Sequence, residues 1–285
     1  NWQDYWNNWS YESDINLKKV IYSKTKPIYN KQVRDVILYW TWDILITDNN
    51  CVKKVRNTAI NDDNYYLSWS QIIAWLCSTW SYSQTTFKSP YWMVLDKTSN
   101  MLYIADQLNH MIRRVNINTW EIFLLAWQTT PWNTDWIWID AKFNNPTQLA
   151  LSKDNSILYV LDYSNNKVRK IDIATQEVTT LFTSTSWVIT DIALDKINNV
   201  LYWTSWWSNN VSANRAINKY LINSWGNGVF FTLNTRSNMY AVPLFIDYNE
   251  TTWDLYVSYR HSWTDQEANL NYSGHWIAKI NTFTK

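Results

Sequence analysis

The chain has 285 residues, with 25 basic against 24 acidic side chains and a formal charge of +1, so no net field draws it to nucleic acid. Its apolar runs are strand-sized, far short of the roughly 20 residues that cross a bilayer as a helix. It holds 22 tryptophans and 3 glycines, where average usage gives roughly 20 glycines in a chain of this size.

Residues 1–32 begin with NWQDYWNNWSYESD, a polar stretch that reads as a linker, followed by one strand-like run, LKKVIYSKT, from Leu17. The chain starts at Asn1 with no signal-like leader visible, and we expect a processed product or a fragment of a longer protein. From Val33 onward, short runs of alternating or wholly apolar character recur between turns rich in Asn, Asp, Ser and Trp. Residues 33–90 hold VRDVILY, DILITD, CVKKVRN and QIIA; residues 91–146 hold YWMVLD, MLYIAD, MIRRVNI and EIFLLA. Residues 147–186 hold TQLALS, ILYVLD, KVRKIDI and EVTTLF, and residues 187–241 hold ITDIALD, VLYWTS, AINKYLI and GVFFTL. Residues 242–285 hold PLFIDY, DLYVSY and IAKIN, then end in TFTK.

Four short strands per unit, recurring at intervals of roughly 43–56 residues, are the pattern of β-propeller blades. No stretch sustains a helical period. The expected fold is therefore all-β, a propeller of four-stranded blades occupying residues 33–285. Five blades are recognisable. The fifth lacks a full fourth strand, which LKKVIYS could supply from the other terminus; a sixth blade remains the alternative.

The segments LYIADQLNHMIRRVNINTWEIFLLAWQ and LYVLDYSNNKVRKIDIATQEVTTL resemble NHL repeats, and ILITDNNCVKKV matches the first two parts of that pattern. The resemblance is strong from Asp43 to Leu181 and fades afterwards, where LYWTS is nearer a YWTD variant. Some propellers of this kind are lyases with metal-bound histidines, and others bind RNA through a basic face. The resemblance therefore implies both as alternatives to a binding module.

The tryptophans fall where strand proteins place glycine. Trp42 precedes Asp43, Trp253 precedes Asp254, Trp120 lies between Thr119 and Glu121, and Trp206 and Trp207 stand together. Trp127, Trp132, Trp136 and Trp138 also fall in expected turns, and IIAWLCSTWSYS and LLAWQTTPWNTDW read as glycine-rich loops once Trp becomes Gly. We expect most of them to be glycines in the organism, encoded by UGA and translated with the wrong genetic code. Trp203, inside LYWT, is the expected exception.

Candidate chemistry is sparse. Cys51 and Cys77 are too few for a disulfide framework; one bridge and two free thiols both stay open. His110 occupies the NH position of the repeat and is expected to brace a turn. His261 and His275 share the last unit and are the candidates for metal ligation, although zinc chemistry calls for about three convergent ligands. Asp48, Asp106 and Asp162 recur at the end of each second strand, where a carboxylate accepts turn N–H groups. Lys53, Lys54, Arg113, Arg114, Arg169 and Lys170 recur in third strands, the basis of the RNA-binding alternative. No G-x-S-x-G, P-loop, H-E-x-x-H or C-x-x-C motif occurs. The expected function is a non-enzymatic binding or scaffold module of a secreted or surface protein. It would bind protein or glycan through loops on one face and need no cofactor. A propeller lyase or hydrolase is the rival from another class. Ligand identity and oligomeric state are not encoded legibly.

Overall fold

The computed structural model describes residues 33–40, 43–48, 50–56, 72–77, 87–126, 134–137, 140–185, 188–206, 216–222, 226–232, 240–249, 251–265 and 270–282. The N-terminal linker and its LKKVIYS strand lie outside these residues. Among them the regular structure is all β apart from short 3-10 turns such as Gln107–Asn109 and Tyr163–Asn165. No helix among them is long and apolar enough to cross a membrane.

Five antiparallel sheets follow the chain, each a meander. The first contains β1 (Val33–Trp40), β2 (Asp43–Asp48), β3 (Cys51–Arg56) and β4 (Ile72–Cys77) in that order. The second contains β5 (Pro90–Asp96), β6 (Met101–Asp106), β7 (Met111–Asn116) and β8 (Ile122–Ala126). A two-residue strand, β9 (Trp136–Ile137), precedes β10 (Pro146–Leu151), β11 (Ile157–Asp162), β12 (Lys167–Asp172) and β13 (Glu177–Thr183), and pairs with the outer edge of β13. The fourth sheet contains β14 (Val188–Asp195), β15 (Val200–Trp206), β16 (Ala216–Leu221) and β17 (Gly226–Thr232). The fifth has three strands among the described residues, β18 (Tyr240–Asn249), β19 (Asp254–Asp265) and β20 (Leu270–Asn281).

Burial explains why these runs form strands. In β6 and β11 every residue after the first is buried, so both faces of the second strand are covered. In β7 the burial begins to alternate, and in the outer strands β8 and β13 half-buried and exposed positions take over. First strands carry a register shift near their start, at Val33/Asp35, Pro90/Met93, Ile189/Asp191 and Pro243/Phe245. Pro90 and Pro146 begin their strands and Pro243 stands at a shift, the positions where a missing N–H costs an edge strand least. At two shifts the first-strand carboxylate reaches the next sheet. Asp35 Oδ2 accepts the Met93 N–H at 2.9 Å, and Asp191 Oδ2 accepts the Ile246 N–H at 2.9 Å. Both aspartates are buried.

The described residues divide into two compact units. One runs to Leu149 and includes Thr175–Val178; the other comprises Ala150–Ala174 and Thr179–Lys285. In the first, Leu45 and Val52 pack with Phe87, Met93, Leu102, Ile104, Val115 and Ile117, so the core lies between the faces of the first two sheets. The second holds two clusters. Leu161, Val168 and Phe182 pack with Ile189, Ile192, Leu201 and Trp203. Ala193, Tyr202 and Ile217 pack with Ile246, Tyr248, Leu255 and Val257. Each fully buried aliphatic or aromatic side chain contributes about 1.5–3 kcal/mol. Trp203 is a core residue, its ring 5.7 Å from that of Phe182.

Some tryptophans depart from the turn pattern. Trp75 belongs to β4 and Trp136 to β9, not to loops. The apolar run IIAWLC has enough β-propensity to continue pairing with β3 as far as Cys51↔Cys77. Trp120 and Trp253 do occupy left-handed turns, with φ 63° and 61°. The equivalent positions elsewhere are Gln176 (φ 60°) for the first, and Asn100 (φ 56°) and Asn199 (φ 54°) for the second. A side chain with a Cβ pays about 1–2 kcal/mol for that conformation. The strands β19 and β20 also run longer than DLYVSY and IAKIN suggest, because their ladder continues to Asp265↔Leu270.

The cysteines are settled by register. Cys51 sits directly opposite Cys77 across β3 and β4 and is disulfide-bonded, and the chain has no other cysteine.

Candidate functional site

At one end of the first three sheets the turn between second and third strands meets the residues that lead into a first strand. The second repeat shows the construction in full. Asp106, at the end of β6, has no exposed surface. Its Oδ1 accepts the Lys88 N–H at 2.7 Å, its Oδ2 accepts from Asn109 Nδ2 at 2.8 Å, and Arg113 Nε pairs with Oδ2 at 2.6 Å. Burial pushes the Asp106 carboxyl above its ordinary range, opposed by the Arg113 charge and by the Asn109 and Lys88 donors. The Arg113 guanidinium also lies over the Phe87 ring, 4.9 Å from its centroid. Asp162 repeats the arrangement with Arg169 Nη1 at 3.2 Å and Asn165 Nδ2 at 2.9 Å, the ion pair again fully buried. In the fourth sheet the equivalent positions are Ser205 and Asn218, and the pair becomes a neutral hydrogen bond of 3.1 Å. The Asp48 side chain lies outside the described residues, as do those of His261 and His275. Their backbone register sets His261 opposite Gly274 and His275 opposite Arg260.

The residue after the 3-10 turn links one repeat to the next. His110 closes that turn in the left-handed region, φ 58°, and its Nδ1 accepts the Asn145 N–H at 3.0 Å. Asn166 (φ 54°) does the same through Oδ1 to the Ile189 N–H at 2.8 Å, and Asn50 Oδ1 accepts the Ser89 N–H at 3.0 Å. His110 is therefore an acceptor between repeats, a role that its own turn does not reveal. With Nδ1 accepting, the proton of the neutral ring belongs on Nε2. Burial lowers the imidazole pKa from its usual 6.5, and the nearby Lys88 ammonium lowers it further.

The basic pairs separate by face. Arg113 and Arg169 are consumed in the buried ion pairs, whereas Arg114 lies over Phe123 at 5.2 Å and Lys170 is exposed. Lys53 and Lys54 are half-buried. Among the described residues no three of His, Cys, Asp or Glu gather in a way that could hold a metal ion.

Two outcomes follow from this geometry. Arg113→Asn alone leaves Asp106 buried without its cation, and we expect a loss of about 3–5 kcal/mol in chemical denaturation. The double variant Asp106→Ser with Arg113→Asn, which copies the fourth sheet, should lose clearly less than the two single variants summed. Additive losses would show that the pair is not coupled. For His110, the unfolded chain binds protons more readily than the folded one below the ordinary pKa of 6.5. Its contribution to stability is therefore complete above about pH 6.5 and declines as pH falls towards the lowered folded value. His110→Asn keeps the acceptor and should flatten that part of the stability–pH curve.

No family profile matches the chain. NHL repeat-containing protein 2 of Homo sapiens is 32% identical over 93 residues, which is 32% of this chain and 13% of that protein. The protein of the same name from Bos taurus is 31% identical over 90 residues, or 31% and 12%. The match thus spans about an eighth of those relatives. Similar folds occur in the nidogen/laminin complex (TM-score 0.56, 11% identity, 86% of this chain and 80% of that one). They occur also in Kuenenia stuttgartiensis hydrazine synthase (0.55, 12%, 82% and 59%). A third example is the extracellular domain of a putative one component system from B. thetaiotaomicron (0.53, 9%, 87% and 28%). With antiparallel sheets in series, Asp-to-Arg pairs in two successive repeats and these matches, the chain has the β-propeller fold, and about a third of it is similar in sequence to an NHL repeat-containing protein.

Proposed function

We propose that the chain is a binding or scaffold module of a secreted or surface protein, and that it holds a protein or glycan through loops at the ends of its sheets, in the first unit those carrying Asn50 and His110. The observation that supports this most directly is how the repeated polar residues are used. Asp106, Asp162, Arg113 and Arg169 are held in buried pairs inside their own repeats, and Asp35 and Asp191 cap backbone N–H groups of the next sheet. The connecting turns present exposed side chains, Leu108 and Tyr163 among them. One structural neighbour is titled as a protein–protein complex and another as an extracellular domain. A disulfide at Cys51 also fits an oxidising compartment. A catalytic reading has one point in its favour, that a third neighbour is titled a synthase.

The two ends of the second sheet provide the test. A photo-reactive residue replacing Leu108, in the turn between β6 and β7, should cross-link a discrete partner when the chain is displayed in its native protein. The same residue replacing exposed Thr119, at the opposite end, should not. Adducts from neither position, or equally from both, would remove the loop-end reading.

The turn tryptophans belong to the same proposal, since they determine what the loops present. Trp120 and Trp253 share left-handed geometry with Gln176, Asn100 and Asn199, and we propose that they are glycines in the native protein. Peptide mass spectrometry of protein from its source should show glycine at both positions. Tryptophan there, or UGG codons, would sink the idea.

A further inference from the structure

We propose that Lys88, His110 and Leu108 form a recognition point for a carboxylate carried beside an apolar side chain in an extended protein segment; this rests on the loop-end reading above and names its partner chemistry.

The supporting strip is tightly held. The Lys88 N–H is bound by Asp106 Oδ1 at 2.7 Å, and the Lys88 carbonyl accepts the Leu108 N–H at 3.1 Å. The Ser89 N–H is held by Asn50 Oδ1 at 3.0 Å, and Ser89 Oγ meets Gln107 Oε1 at 3.2 Å. Residues 88–89 and 107–108 are thus fixed to each other, and little ordering is left for a ligand to impose.

On this strip stand two donors. Lys88 is exposed, and its charge acts on the His110 ring. The His110 ring is fixed by the Asn145 N–H on Nδ1, which leaves Nε2–H as a donor. Among the described residues neither donor has a protein acceptor. The carboxylate of the same strip, Asp106, is buried and occupied by Arg113, Asn109 and the Lys88 amide. Leu108 stands beside them, 46% exposed.

The third repeat lacks this combination of a cation and an imidazole. Asn166 makes the same acceptor bond and donates one of its two Nδ2 hydrogens to the Ser184 carbonyl at 2.6 Å, but the loop leading into its sheet has Asn144 where the second repeat has Lys88. Histidine keeps the bond between repeats and adds a second, outward function. One cation and one neutral donor match a singly charged, compact acceptor. A phosphate dianion would call for more charge and a guanidinium fork, and Arg113 is already buried against Asp106.

The experiment titrates the whole chain, labelled with ¹³C-histidine, with acetyl-Gly-Leu-Glu-Gly-amide. The His110 signal is identified by its loss in His110→Asn, a variant that retains the acceptor. We expect a saturable shift of that signal, with affinity about tenfold weaker in Lys88→Gln, the loss of one charge-assisted contact. The glutamine peptide and inorganic phosphate should leave the signal unmoved. No saturable shift, an equal shift with the glutamine peptide, a larger response to phosphate, or an unaffected Lys88→Gln chain would each overturn the proposal. A Lys88→Gln chain that still cross-links fully from position 108 overturns the carboxylate contact and leaves the loop-end reading standing. Absence of that cross-link in the parent chain removes the loop-end reading itself.

Discussion

The constraint on which the rest depends is a backbone N–H that no ladder can satisfy. Each sheet begins with an edge strand, and at the start of the second, third and fourth an amide (Ser89, Asn145 or Ile189) faces the preceding repeat. Leaving such a donor buried and unpaired costs about 1–3 kcal/mol. The preceding repeat supplies the acceptor from its turn, through Asn50, His110 and Asn166. Near the register shift, Asp35 and Asp191 do the same for Met93 and Ile246. The acceptors at 110 and 166 sit on residues in the left-handed region, which admits Asn and His more readily than branched side chains. Hydrophobic burial provides most of the energy, but it is non-directional. These hydrogen bonds determine which amide of one sheet meets which turn of another.

The strands were legible because burial on both faces of β6 and β11 produces continuous apolar runs, and MLYIAD and ILYVLD show them directly. What escaped the sequence depends on register or on distance along the chain. In MIRRVN, Arg113 and Arg114 look alike; the pairing Ile104↔Arg113 places one against Asp106 and leaves the other over Phe123. A two-residue strand such as β9 has no period to detect. Cys51 and Cys77 oppose each other only because β4 keeps its ladder past Trp75, and a residue count across the connecting loop cannot give that register. The partner of His110 is an amide in the following repeat, so its role was visible only as a preference for a turn.

The excess of tryptophan suggested glycine at most positions with Trp203 as the exception; Trp203 is buried against Phe182, whereas Trp75 and Trp136, expected in turns, lie in strands. Trp120 and Trp253 are set apart by positive φ, and by the Gln and Asn residues that occupy the same places in other repeats.

A repeat protein also changes what counts as a functional signal. Asp106 and Asp162 recur, are charged and are buried, features that in a single-copy fold would suggest catalysis. Here recurrence itself explains them, since each makes the same contacts in its own repeat. The fourth sheet shows that the charge is dispensable, because Ser205 and Asn218 hold the same position with a neutral bond. Departures from the repeat carry more information, provided the structural contact survives the change. At the turn position Asn50 and Asn166 meet the requirement with an amide, and His110 meets it with one nitrogen while the other remains a donor. The bond that holds adjoining repeats together thus leaves room for recognition at that position.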